Sequence, residues 1–129
     1  MQFAVARRGL PAAASFARWW RAASSAPVTL RIVGRAEGAA LNRTFRNKSK
    51  PTNVLSFDSG DVVLCHPVVR REAREQGKSL AAHYAHLVVH GALHLRGHDH
   101  VTKKGARRME NAEIRILRRL GFADPYEIE

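Results

Sequence analysis

Six of the seven histidines in this chain fall between His83 and His100, and their types and spacing are those of metal ligands. On a helix turning about 100° per residue, His83, His86, His90 and His94 share an arc of roughly 80°. The residues between them, Leu87, Val88, Val89, Ala92, Leu93 and Leu95, are apolar nearly all round, the composition of a buried helix. A buried imidazole without a partner costs on the order of 1–3 kcal/mol, and one ion satisfies several imidazoles together. His90 and His94, at i and i+4, face the same way one turn apart. Gly97 then lets the chain turn back so that His100 supplies a third nitrogen. Three nitrogen ligands leave a fourth position for water, the arrangement of a catalytic rather than a structural zinc. The expectation is one Zn2+ per chain on His90, His94 and His100. His98 competes with His100 for third place, and Asp99 is placed to accept a hydrogen bond from a ligating imidazole and fix its tautomer. His83 and His86 read as hydrogen-bonded histidines beside the site. Cys65, the one cysteine, reads as a packed residue at a strand end and not as a fourth ligand.

Elements that would position these residues follow from periodicity and stop signals. Gln2 to Ala6 and Val28 to Val33 read as strands, and Ala12 to Ser24 as a helix with Phe16, Trp19, Trp20 and Ala23 on one side. A second helix, Ala36 to Arg46, places Ala40, Leu41, Thr44 and Phe45 on one face and Arg43, Arg46 and Asn47 on the other. Asn53 to Phe57 and Asp61 to Cys65 form a hairpin through Asp58, Ser59 and Gly60. Pro67 opens a helix over Val68 to Gln76, Ser79 caps the histidine helix running to about Arg96, and a last helix starts near Lys103. This order gives an α+β fold: a single domain over residues 1–129, with an about four-stranded mixed sheet, helices packed on it, and a buried histidine-bearing helix.

Composition narrows the function. An apolar fraction of 45% and a charged fraction of 26% exclude disordered and fibrous classes, and no apolar run reaches the roughly 20 residues of a membrane span. A single cysteine fits a reducing cytosol. The net charge of +11 is one-sided: residues 1–50 hold ten basic residues against Glu37 alone, whereas residues 51–129 hold twelve against ten acids. Such a field favours a polyanion, RNA or DNA first. The first 26 residues, with Arg7, Arg8, Arg18, Arg21 and no acid, also have the composition of a transit peptide.

The spacing His, three residues, His, two residues, Gly, two residues, His is shared with metzincin proteases, in which the residue after the first histidine is the glutamate general base. Here it is Gly91, which disfavours peptide hydrolysis. A closer resemblance is to the YbeY family of bacterial metal-dependent endoribonucleases, or rRNA maturation factors. It is carried by Leu41 to Lys48, by Pro51 to Phe57, by Gly60 to Cys65, by His90 to His100 and by the ending Leu120, Gly121, Phe122, Asp124, Pro125, Tyr126. Gly9, Leu10, Pro11, Phe16 and Trp19 are similar to the family's first connection and helix, which argues against a transit peptide. The chain departs from the family in the short link Asp58 to Gly60 and in carrying His98 before Asp99. The resemblance implies a zinc-dependent RNA hydrolase of the cytoplasm, active in 16S rRNA 3′-end maturation and ribosome quality control. The ribosome or a small-subunit ribosomal protein would be its partner, and no membrane would be involved. It also implies a functional arginine, which falls on Arg46.

Arg46 would clamp a phosphate with its planar donors, and Arg43, Lys48 and Lys50 would guide the RNA backbone. With glycine at position 91, the general base stays open between His98, a metal-activated water acting alone and the RNA 2′-hydroxyl. A metalloprotease-like hydrolase and a non-catalytic ribosome-assembly factor with a structural metal are the alternatives.

Overall fold

Alternating side chains give the sheet two different faces. The computed structural model describes residues 1–46, 53–98 and 101–127, and the side chains of Phe45 and Arg46 are outside that description. In it, β1 (Gln2–Phe3), β2 (Thr29–Val33), β3 (Val54–Phe57) and β4 (Asp61–Cys65) form one sheet in the order β1-β2-β4-β3. β1, β2 and β4 are parallel, and β3 returns antiparallel at the edge with Leu55 opposite Val63. Leu30, Ile32, Val62 and Leu64 point to the face that holds the main core. Val33, Leu55, Val63 and Cys65 point to the other, where a smaller cluster forms. The mixed four-stranded sheet and the α+β class agree with the expectation from sequence.

Helices α1 (Ala13–Ala23), α2 (Arg35–Arg46), α3 (His66–Glu75), α4 (Leu80–Leu95) and α5 (Lys103–Arg119) complete the domain. β4 runs into α3 with no intervening loop, and Pro67 occupies the first turn, where its missing N–H costs nothing. At the start of α4, Ser79 Oγ accepts from the Ala82 amide at 3.1 Å. Its other end closes at Gly97, whose φ of +99° admits the left-handed turn. There the Gly97 amide returns to the His94 carbonyl and the His98 amide to the Leu93 carbonyl. Tyr84, Ala85, Val88, Val89 and Ala92 on α4 are fully enclosed, and α4 packs on α1, α3, α5 and β3. The histidine helix is thus the centre of the molecule.

Two local readings are corrected. The inward stripe of α2 is Gly38, Leu41 and Asn42, while Ala40 and Thr44 face solvent. Thr44 hydroxyl bonds back to the Ala40 carbonyl at 2.9 Å, so the exposed side satisfies its own polar group and the stripe rotates toward the buried amide of Asn42. The expected first strand also shrinks to two residues, because after Phe3 only the Ala4 amide still reaches β2, at the Ile32 carbonyl.

The arginine-rich opening segment belongs to the core. Phe16 is fully enclosed and meets Trp19 and Tyr84 edge-on, both at 5.2 Å between centroids. Arg96 Nη1 donates to the Ala23 carbonyl at 2.7 Å, tying the end of α4 to the end of α1. Among the described residues no helix is long and apolar enough to cross a membrane. Phe16→Ala is expected to destabilise the domain by about 3–5 kcal/mol in denaturant titration. Exposed Arg18→Ala should change stability by less than about 0.5 kcal/mol. Equal stability of Phe16→Ala and the parent would mean that this segment does not belong to the core.

Candidate metal centre

The centre is organised by a carboxylate that the histidine spacing does not announce. Glu113 lies on α5 between Met109 and Leu117, and its side chain is 1% exposed. Nδ1 of His90 donates to Glu113 Oε1 at 3.1 Å, Nε2 of His86 contacts Oε2, and the Tyr126 hydroxyl donates to Oε2 at 2.8 Å. Burial alone pushes the Glu113 carboxyl up, but the hydrogen bonds from His86 and His90 outweigh it and hold the group at about 2. Burial, and after it the same carboxylate, pushes the Tyr126 phenol up, so that it stays a donor.

This arrangement decides the chemistry of His90. A proton on Nδ1 shared with a carboxylate fixes the tautomer whose Nε2 carries the lone pair, and such carboxylate–histidine pairs are the usual support of a ligating imidazole. His94 follows one turn on and is solvent-exposed. The donor set present therefore fits a zinc ion at the solvent end of the histidine row, with Glu113 behind it. Among the described residues no three His, Cys, Asp or Glu side chains converge closely enough to hold an ion by themselves. His100 and Asp99 lie outside the described residues.

His83 is drawn away from that end. Its Nε2 bonds to Glu72 Oε1 at 3.1 Å, an atom that also accepts from Asn53 Nδ2 at 3.0 Å. Desolvation pushes its pKa down, which keeps the ring neutral. The row is thus divided between two carboxylates, Glu72 on α3 and Glu113 on α5. A cavity of about 420 Å³ lies alongside, lined by His83, His86, His90, Asn53, Val54 and Tyr126 among others. His66, the histidine outside the cluster, pairs with the Tyr84 hydroxyl at 2.7 Å.

Position 91 faces the sheet. A Cβ there would stand 3.2 Å from Ser56 Oγ and 3.5 Å from a Val62 methyl, so glycine is what lets α4 lie this close to β3 and β4. The glutamate that a protease of similar spacing carries would have to displace Ser56 and Val62. His98 is half-buried just past the helix end, and Arg43 is exposed on α2. Arg46 is the last residue of α2, and Lys48 and Lys50 lie outside the described residues. Cys65 is buried, with its thiol directed to the Gly34 carbonyl, as a packed strand-end residue should be.

Sequence reasoning missed Glu113, Tyr126 and Glu72. Glu113 carried a signal: an acid at i+4 from Met109 and i−4 from Leu117, inside the apolar row of an amphipathic helix. Such a residue is buried and needs partners. Tyr126 carried no comparable signal, because only the fold of residues 121–126 over α4 and α5 brings it back.

The model of the family described as Endoribonuclease YbeY matches residues 10–121. Among similar proteins, one named endoribonuclease YbeY from Methylibium petroleiphilum is 55% identical over 118 residues, covering 84% of this chain and 79% of that protein. Another of that name from Nitrosomonas eutropha is 48% identical over 100% of this chain and 98% of its own. In fold, the chain is similar to the solution structure of TM1509 from Thermotoga maritima, with a TM-score of 0.59, 20% identity and 98% of each chain covered.

Glu113→Gln keeps the shape and removes the charge, and is expected to lower zinc affinity by about 10- to 100-fold in competition with a chromophoric chelator. Tyr126→Phe should have the smaller effect. Unchanged zinc affinity in Glu113→Gln would show that this carboxylate does not support a ligand.

Proposed function

The chain belongs to the endoribonuclease YbeY family, and we propose that it is a zinc-dependent endoribonuclease for single-stranded RNA, acting in 16S rRNA 3′-end maturation and ribosome quality control in the cytoplasm. Membership makes it an RNA-cleaving hydrolase. The observation that supports the zinc reading is the bond from His90 Nδ1 to Glu113, because it favours the tautomer whose Nε2 carries the lone pair a metal needs.

His90, His94 and His100 would hold the zinc, which when bound supplies Lewis-acid charge for a phosphoryl oxygen and acidifies water. The chain's own residues do the remaining work. Glu113, braced by His86 and Tyr126, keeps His90 from rotating. Arg46 offers a planar fork to a phosphate as negative charge grows on its oxygens. Arg43, Lys48 and Lys50 hold neighbouring phosphates, and the ribosome or a small-subunit ribosomal protein delivers the strand. Position 91 supplies no base, so as the attacking oxygen, of water or of the ribose, bonds to phosphorus its proton goes to solvent or to His98, while the ribose oxygen released by the broken P–O bond takes a proton from solvent.

Metal-loaded protein should cleave single-stranded RNA and leave casein intact, and a chelator should abolish the cleavage. His90→Ala and His94→Ala should each lose zinc by elemental analysis. Arg46→Ala should keep zinc while single-turnover cleavage falls on the order of 100-fold, and Arg46→Lys should recover part of it. Chelator-resistant cleavage by the purified protein would overturn the zinc assignment, and cleavage at the parental rate by Arg46→Ala would remove that residue from the mechanism.

A further inference from the structure

Seven of the twelve basic residues after position 50 lie on α5. At 100° per residue, Lys104, Arg107, Arg108, Arg115, Arg118 and Arg119 fall within an arc of about 120°, and Asn111 is the one other residue there. All six cations are exposed. Among the described residues, none of them forms an ion pair. α5 holds two acids, and neither sits in the stripe. Glu113 points the opposite way, into the core, and Glu110 lies on the flank. The stripe runs about 22 Å along a straight helix.

We propose that the outer face of α5 is a docking surface for the phosphate backbone of double-helical RNA, distinct from the cleavage centre and resting on the reading of this chain as an RNA enzyme. Six cations in two groups of three, each group spanning about one turn and the two separated by about two turns, with no carboxylate among them, repel one another unless an anion of matching length neutralises them. Fixed on a rigid helix, they suit a regular array of phosphates better than a flexible strand, which would have to be ordered on binding. The stripe also shares its helix with Glu113. Duplex RNA held on one side of α5 is therefore held in fixed relation to His90 on the other, and the single-stranded part of the same molecule can reach the metal end of α4.

The test is fluorescence anisotropy with a labelled RNA hairpin over a range of salt, independent of cleavage. It compares the parent, a stripe variant (Arg107→Gln, Arg108→Gln, Arg115→Gln, Arg118→Gln), and a control that removes the same charge elsewhere (Arg8→Gln, Arg18→Gln, Arg70→Gln, Arg74→Gln). Zinc content and melting temperature verify folding. The stripe variant is expected to bind the hairpin at least about tenfold more weakly near 0.1 M salt, with the log–log salt slope reduced by about 3. The control should lose clearly less. Equal losses in both variants, or none in the stripe variant, would overturn the proposal. So would a stripe variant that still binds the hairpin but no longer binds vesicles of phosphatidylserine, since the surface would then serve a membrane. A parent that binds the hairpin through the stripe yet cuts no RNA would refute the enzymatic reading and leave this one standing.

Discussion

A carboxylate enclosed in a protein interior either takes up a proton or is held as an anion by donors that cannot leave it. Glu113 is in the second condition, and three donors from two places in the chain meet on its two oxygens: His86 and His90 from α4, and Tyr126 from the segment after α5. Satisfying that one group fixes the rotation of α5 against α4, the tautomer of His90 and the path of residues 121–126. Without it, α5 would be held through its apolar face alone, by Met109, Ala112, Ile116 and Leu117. The polar contact adds a directional constraint that hydrophobic burial, being non-directional, does not supply.

Most of the fold was legible in the sequence because its signals were local. Ser79 and Gly97 bracket the histidine helix, Gly60 sits in the hairpin turn, and Pro67 opens α3; each exerts its effect within a few residues of itself. The failures were not local. The stripe of α2 was misread because Ala and Thr look as suitable for burial as Leu, and only the packing of Gly38 and Asn42 decides which side turns inward. The histidine row was legible as a row, whereas its division between Glu72 and Glu113 depends on helices 11 and 27 residues away in sequence. Charge counted along the chain likewise pointed to the first fifty residues. Counted on surfaces it points also to α5, where one of two acids is spent inside.

The sheet is correspondingly unequal. One face lies under α1 and α4 and carries the large aromatic core; the other carries a small cluster of Val33, Leu55, Val63, Cys65 and Val68 with Leu41 and Phe57 at its margin. β3, the antiparallel edge strand, touches α4 closely enough that a side chain at position 91 would crowd Ser56 Oγ and Val62. The sheet thereby sets the depth of the histidine helix, and the carboxylates of α3 and α5 set its side chains.

Placing the histidines on the most enclosed helix has a consequence for how the molecule fluctuates. Binding residues commonly sit on loops whose opening requires little free energy, so sites can come apart while the rest of a protein stays folded. The backbone of α4 is enclosed by α1, α3, α5 and the edge of the sheet, so its amides are expected to exchange with solvent only when that packing opens. His90 is therefore expected to keep its place as long as that packing holds, whereas His94, one turn on, already faces solvent. Of the two helical histidines one turn apart, one is thus tied to the core through Glu113 and the other is open to solvent.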